Sequence, residues 1–170
     1  MIDIRKIRVV PDFPDAGIQF YDITTLLNDA NAYEQVFLSL LDTAKQIQPD
    51  VIVALESRGY YFGPAIALNL HLPFVPIRKK GKLPFTTYQE CYNLEYGQAE
   101  IEIHTDAMNK GLSVLLVDDV LATGGTARAA CKLLQRFKPR ALSTLFLLEL
   151  KDLHGREQLS GYPVHTLLSV

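Results

Sequence analysis

Two short runs, Val51–Leu55 and Val114–Val117, are apolar throughout. Each gives way at once to polar residues: Glu56-Ser57-Arg58-Gly59 after the first, Asp118-Asp119 and then Ala122-Thr123-Gly124-Gly125-Thr126 after the second. A strand with no polar side has both faces covered, the situation of a strand inside a parallel sheet. Beyond each turn apolar residues return at helical steps: Phe62, Ala65, Ile66 and Leu70 in one case, Ala127, Ala130, Leu133, Leu134 and Phe137 in the other. Tyr33, Phe37, Leu40, Leu41, Ala44 and Ile47 show the same spacing ahead of Pro49, while Phe74–Ile77, Ala141–Leu148 and Val164–Leu168 read as further strands. Strands alternating with helices imply an α/β fold, a central, mostly parallel sheet flanked by helices. In such sheets ligands bind beyond the carboxyl ends of the strands, where both polar turns fall.

Nothing in the 170 residues marks a second domain, so residues 1–170 are expected to form one. Residues 1–31 carry Pro11, Pro14, Gly17, Asn28 and Asn31 and read as an irregular lead-in. Over residues 78–97 the alternation lapses, and connections of that length are often lids. Ala99, Ile101 and Ile103 then alternate with Glu100, Glu102 and His104, the pattern of a half-exposed strand. With 48% hydrophobic and 21% charged residues the composition is that of a soluble globular chain. A formal net charge of -2 argues against a general nucleic-acid surface. No apolar run approaches the ~18 to 20 residues that span a bilayer, and residues 1–11 lack a signal-peptide core. Cys91 and Cys131 have no metal-ligand spacing. A cytoplasmic location without membrane or nucleic-acid partners is expected.

The turn at residues 122–126 carries the most chemistry. Adjacent glycines let consecutive amide N–H groups converge on one point, and the helix behind them adds unpaired donors and a positive dipole end. Thr123 and Thr126 contribute hydroxyls. Together Ala122, Thr123, Gly124, Gly125 and Thr126 suit a phosphate dianion, although the spacing matches neither the Walker loop nor the dinucleotide fingerprint. Asp118 and Asp119 would repel that phosphate, so they suit hydroxyls or a hard cation a sugar's length away. A phosphate cradle beside diol acceptors describes a ribose 5-phosphate site.

Val114–Thr126, reading VLLVDDVLATGGT, resembles the signature of type I phosphoribosyltransferases. Further pieces follow in that family's order across nearly the whole chain: Phe13-Pro14 with Gly17, Phe20 and Asp22-Ile23; Glu56-Ser57-Arg58-Gly59 with Phe62-Gly63-Pro64; Pro76–Pro84; Leu94-Glu95-Tyr96-Gly97; Glu102-Ile103-His104; and Gly155-Arg156-Glu157. The ordered set is most similar to the adenine-using members. The resemblance implies the type I fold, with residues 1–31 as a small base-binding hood and 78–97 as a long flexible lid loop. It implies transfer of a phosphoribosyl group from phosphoribosyl pyrophosphate to adenine, giving AMP and pyrophosphate, with Mg²⁺ held through the substrate and a homodimer as the assembly.

The same resemblance assigns Glu56, Ser57, Arg58 and Gly59 to a pyrophosphate loop, with Arg58 also catalytic, and adds Arg78, Lys79 and Lys82 as pyrophosphate ligands. Asp118 and Asp119 become the ribose ligands, Glu95 the acid/base at the purine and Tyr96 a gating side chain. Gln19, Phe20 and Tyr21 form the base pocket, Tyr21 standing where the family usually has Arg or Lys, and Phe85 stands where it commonly has Gly. Lys80 reads as solvated surface. Another purine base as acceptor, or a ligand-sensing regulator, are the alternative functions.

Overall fold

The computed structural model describes residues 3–93 and 98–170. The chain divides into two compact units, Met1–Ser39 and Leu40–Val170.

In the first unit β1 (Arg8–Pro11) and β2 (Gln19–Asp22) pair antiparallel, with Val10 opposite Phe20. A short helix, α1 (Thr24–Leu27), follows, and α2 (Ala30–Ile47) begins in this unit. Along α2 the residues Val36, Leu40, Leu41 and Ala44 are buried, so the apolar stripe is real and Val36 belongs to it.

The second unit is built on strands β3 (Val51–Leu55), β4 (Phe74–Lys79), β5 (Thr87–Asn93), β6 (Gln98–His104), β7 (Ser113–Leu121), β8 (Ala141–Glu149) and β9 (Val164–Ser169). Among the described residues these form one seven-stranded sheet in the order β5-β6-β4-β3-β7-β8-β9. The pairs β3/β4, β3/β7, β7/β8 and β8/β9 are parallel, and β6 runs antiparallel to β4 and β5. Helix α3 (Gly63–Leu70) follows β3, α4 (Gly125–Gln135) follows β7, and the four-residue α5 (Gly155–Gln158) follows β8. All five residues of β3 are buried, as an all-apolar strand at the centre of a covered sheet should be. Ala127, Ala130, Leu133, Leu134 and Phe137 lie in the core beside β7, each large side chain adding roughly 1.5 to 3 kcal/mol through burial.

Three local readings change. Asp118 and Asp119 lie inside β7, not past its end: the strand continues to Leu121, with Asp118 in register with Phe146 and Leu121 with Glu149. The ladder to β8 overrides the polar residues because β8 continues beside them to Glu149, past the point where the pairing with β3 stops at Val117. Residues 78–97 include the last residues of β4 and all of β5, whose pairing with β6 forms a hairpin. Tyr88 and Tyr92 pack against the core from alternate positions of β5, a mixed aromatic and polar alternation that reads as loop in sequence. Glu102, at an outward position of the expected half-exposed strand, is only 2% exposed. Its Oε1 accepts from the amides of Lys82 and Leu83, each at 2.9 Å, so the turn after β4 folds over it.

Candidate active site

Because β3 and β7 are parallel neighbours, the segments beyond their carboxyl ends are neighbours too. Residues 56–59 begin one of them, with a cis Glu56–Ser57 peptide and a 3₁₀ turn over Arg58–Tyr61. Gly59 meets β7 so closely that a Cβ would stand 2.6 Å from the Val117 carbonyl oxygen and 3.2 Å from Asp118 Oδ1. No other residue fits there. The glycine therefore brings Arg58 to the carboxylates, and its Nε lies 3.1 Å from Asp119 Oδ2.

Asp119 is fully buried, and among the described residues neither of its carboxylate oxygens has a hydrogen-bond donor; the contact with Arg58 is an ion pair. Asp118 is half-buried and accepts the Asp119 amide at 2.9 Å on Oδ1. Burial, and then the charge of Asp119, push the Asp118 pKa well above the ordinary carboxylate range. Burial also raises that of Asp119, opposed by the Arg58 guanidinium. Two desolvated acids with open acceptor capacity are expensive in a resting protein and suited to hydroxyl donors or a cation.

On the other side of β3, β4 delivers Arg78 next to Glu56 through the Leu55–Ile77 register. Arg78 Nε donates to Glu56 Oε2 at 3.0 Å and its Nη1 to the Lys82 carbonyl at 3.0 Å. The Lys79 amide donates to Glu56 Oε2 at 3.2 Å, and Lys82 Nζ is 3.7 Å from Oε1. Burial works to raise the Glu56 pKa, but Arg78, the Lys79 amide and Lys82 together hold it below the usual range. Glu56, Arg78 and Lys82 thus form one charged network beside Arg58, in which Glu56 orients the cations. Lys80 instead pairs with Glu100 at 2.6 Å on the surface, as its solvated reading expects. Tyr60 donates its hydroxyl to the Ile77 carbonyl at 2.9 Å, and burial pushes its pKa up to about 12.

The Ala122–Gly124 turn follows β7. Gly124 has a φ of 82° and caps α4, whose first residue is Gly125, so the amides of the first helical turn face outward as donors. Thr123 is exposed, and Thr126 half-buried. Against this turn lies the start of α5. A Cβ on Gly155 would run into the Ala122 carbonyl oxygen, and one on Gly124 into the Gly155 carbonyl oxygen. In the sequence Gly155 and Arg156 stand out only as part of an ordered motif. The close approach that fixes a glycine there is between segments distant in sequence.

In the first unit Gln19, Phe20 and Tyr21 occupy β2, and the Phe20 ring meets Phe13 edge-on at 5.1 Å between centroids. The Gly17 amide donates to Asp12 Oδ1 at 2.7 Å, closing the loop between β1 and β2. Glu95 and Tyr96 lie outside the described residues.

One buried and one half-buried acid, a cation on a close-packed turn and a glycine-capped helix start lie near the carboxyl ends of adjacent parallel strands, an arrangement chemically suited to a phosphorylated sugar. In agreement with that architecture, residues 23–167 match the family model described as the phosphoribosyl transferase domain. The chain belongs to this family. Among curated relatives, adenine phosphoribosyltransferase of Wolinella succinogenes is 51% identical over 170 residues, covering 98% of this chain and 93% of that protein. The crystal structure of adenine phosphoribosyltransferase from Thermoanaerobacter pseudethanolicus superposes with a TM-score of 0.93 at 44% identity, covering 98% of this chain and 96% of that one. The Saccharomyces cerevisiae adenine phosphoribosyltransferase, solved with an imino-altritol bisphosphate and adenine, has a TM-score of 0.88 at 38% identity over 96% of this chain and 94% of that one.

Proposed function

We propose that this chain is an adenine phosphoribosyltransferase of purine salvage, converting adenine and phosphoribosyl pyrophosphate to AMP and pyrophosphate. The observation that carries the reading is the Asp118–Asp119 pair near the end of β7: Asp119, buried with both oxygens unpartnered among the described residues, lies against Arg58, and the Gly124–Gly125 helix start follows a few residues on. The donor needs those three environments in that order: pyrophosphate, ribose diol, 5′-phosphate.

The amides of Gly124, Gly125 and Thr126, with the Thr123 and Thr126 hydroxyls and the Ala122 backbone, hold the 5′-phosphate at a helix N-terminus. Asp118 and Asp119 accept from the ribose 2′- and 3′-hydroxyls. Arg58, with the Ser57 and Gly59 backbone, takes the pyrophosphate, and Arg78, Lys79 and Lys82 add positive charge while Glu56 keeps two of them in place. Adenine stacks on Phe20, its edge read by the main chain near Gln19 and by the Tyr21 hydroxyl. The purine nitrogen displaces pyrophosphate at the anomeric carbon through an oxocarbenium-like transition state. Glu95 acts as acid/base at the ring, and closure of the 78–97 region, gated by Tyr96, keeps water from competing as nucleophile.

Among the described residues no three His, Cys, Asp or Glu side chains form a metal cluster. The unmatched oxygens of Asp119 do fit a divalent cation reached through the ribose hydroxyls, so Asp118 and Asp119 are the residues that would hold Mg²⁺ with the donor. When bound, Mg²⁺ lowers the charge of the leaving pyrophosphate.

The protein acts as a homodimer in the cytoplasm. Leu68, 76% exposed on α3, and the exposed Tyr61 support a second copy on that side, and no described helix is long and apolar enough to cross a membrane. The decisive experiment is AMP formation from adenine and donor with hypoxanthine and guanine as competitors. Pyrophosphate released one-for-one with AMP, unaffected by the other bases, supports the reading. Preferential use of hypoxanthine or guanine would reassign the acceptor.

A further inference from the structure

The 5′-phosphate turn is shored up from behind, and the brace has its own lock. Strand β8 ends at Glu149, a carboxylate only 6% exposed and in register with Leu121, the last residue of β7. Arg156 on α5 grips it with two parallel bonds, Nε to Oε1 at 2.9 Å and Nη2 to Oε2 at 2.6 Å. The same guanidinium donates from Nη1 to the Val164 carbonyl at 3.0 Å, and the Thr166 hydroxyl donates to Glu149 Oε2 at 3.2 Å. The fork therefore ties α5 to the last residue of β8 and to the first half of β9.

Immediately before Arg156 stands Gly155, the residue with no room for a Cβ against Ala122. At the far end of α5, Gln158 has its Cβ 3.0 Å from the place a Gly124 Cβ would occupy, and its Oε1 accepts from Arg128 Nη1 of α4 at 2.7 Å. The turn is thus gripped at Ala122, at Gly124 and one helical turn later by an element whose own position rests on Glu149.

We propose that Glu149 and Arg156 are positioning residues for the 5′-phosphate: their bidentate pair sets the height of α5, which presses Gly155 against the 122–124 turn and aligns its amides. This rests on the reading of residues 122–126 as the phosphate cradle. A small displacement suffices to matter, because amides aimed at a dianion lose much of their value when misdirected. Lys in place of Arg156 keeps the charge but cannot form the fork.

The test is calorimetric titration of the full chain with ribose 5-phosphate and, separately, with inorganic pyrophosphate. Arg156→Lys and Glu149→Gln should each weaken ribose 5-phosphate by about tenfold or more. The double variant should be little worse than either single one, and pyrophosphate affinity should stay within about twofold. Gly155→Ala, which pushes on the turn directly, should reproduce the same selective loss and carries the test if Arg156→Lys does not fold. Unchanged ribose 5-phosphate affinity in folded Glu149→Gln and Gly155→Ala, or an equal loss for both ligands, overturns the proposal. Gly125→Val separates it from the reading beneath it: wild-type affinity in that variant would mean that the cradle itself lies elsewhere, whereas loss there with none in Glu149→Gln would reject the brace alone.

Discussion

Arg58 Nε stands 3.1 Å from Asp119 Oδ2, so the turn assigned to pyrophosphate and the strand assigned to ribose are joined by an ion pair in the resting protein. On the proposed function a single guanidinium serves two ends of one substrate, and its removal has two expected consequences. In Arg58→Gln the donor loses a charge partner, and KM for phosphoribosyl pyrophosphate should rise roughly tenfold or more. Asp119 also loses the group that opposes the rise in its pKa. The pH at which donor affinity fades on acidification should move upward, which a KM–pH profile would show.

Asp118 should trade stability for function. Its folded pKa is raised, by burial and then by Asp119. Such a group stabilises the fold while protonated, and that contribution disappears as pH rises through the raised value. Asp118→Asn has no charge to desolvate, so Tm without ligand should increase, with a gain that grows between acidic and mildly alkaline pH. Affinity for the ribose-bearing donor should fall in the same variant. A Tm gain independent of pH would dissociate the effect from ionisation.

Glu102 has the opposite sign. Burial works to raise its pKa, but the amides of Leu83, Lys82 and Gly81 outweigh that and hold it below the usual range. Its stabilising contribution is present above the unfolded carboxylate pKa and is lost as pH falls through the lower folded value. Glu102→Gln should cost about 1.5 to 3 kcal/mol at neutral pH by denaturant unfolding, the cost of weakening hydrogen bonds to a charged acceptor. The difference from wild type should narrow in acid.

Glu95→Gln addresses the chemical step. Loss of an acid/base group should lower kcat by roughly 10²-fold while leaving donor affinity near wild type. Equal kcat in the two proteins would remove Glu95 from the mechanism.

Much of this was legible in the sequence. Val51–Leu55 and Val114–Val117 read as central parallel strands because nothing polar interrupts them, and the turns behind them carry the residues proposed for the site. Other features depend on contacts that local pattern does not encode. Glu102 reads as solvent-facing by alternation, and only the fold of residues 81–83 over its carboxylate buries it. Asp118 and Asp119 read as a strand end, yet β8 continues beside them and keeps them in the ladder. The need for glycine at position 155 arises from the Ala122 carbonyl, more than thirty positions earlier in the chain. Thr87–Asn93 shows its period only once Tyr88 and Tyr92 are seen against the core.

The most direct test is where a bound nucleotide places its phosphate. A crystal structure of the protein with AMP should show the phosphate within hydrogen-bonding distance of the Gly124, Gly125 and Thr126 amides, and both ribose hydroxyls on Asp118 and Asp119. A phosphate held anywhere else would contradict the assignment of residues 122–126.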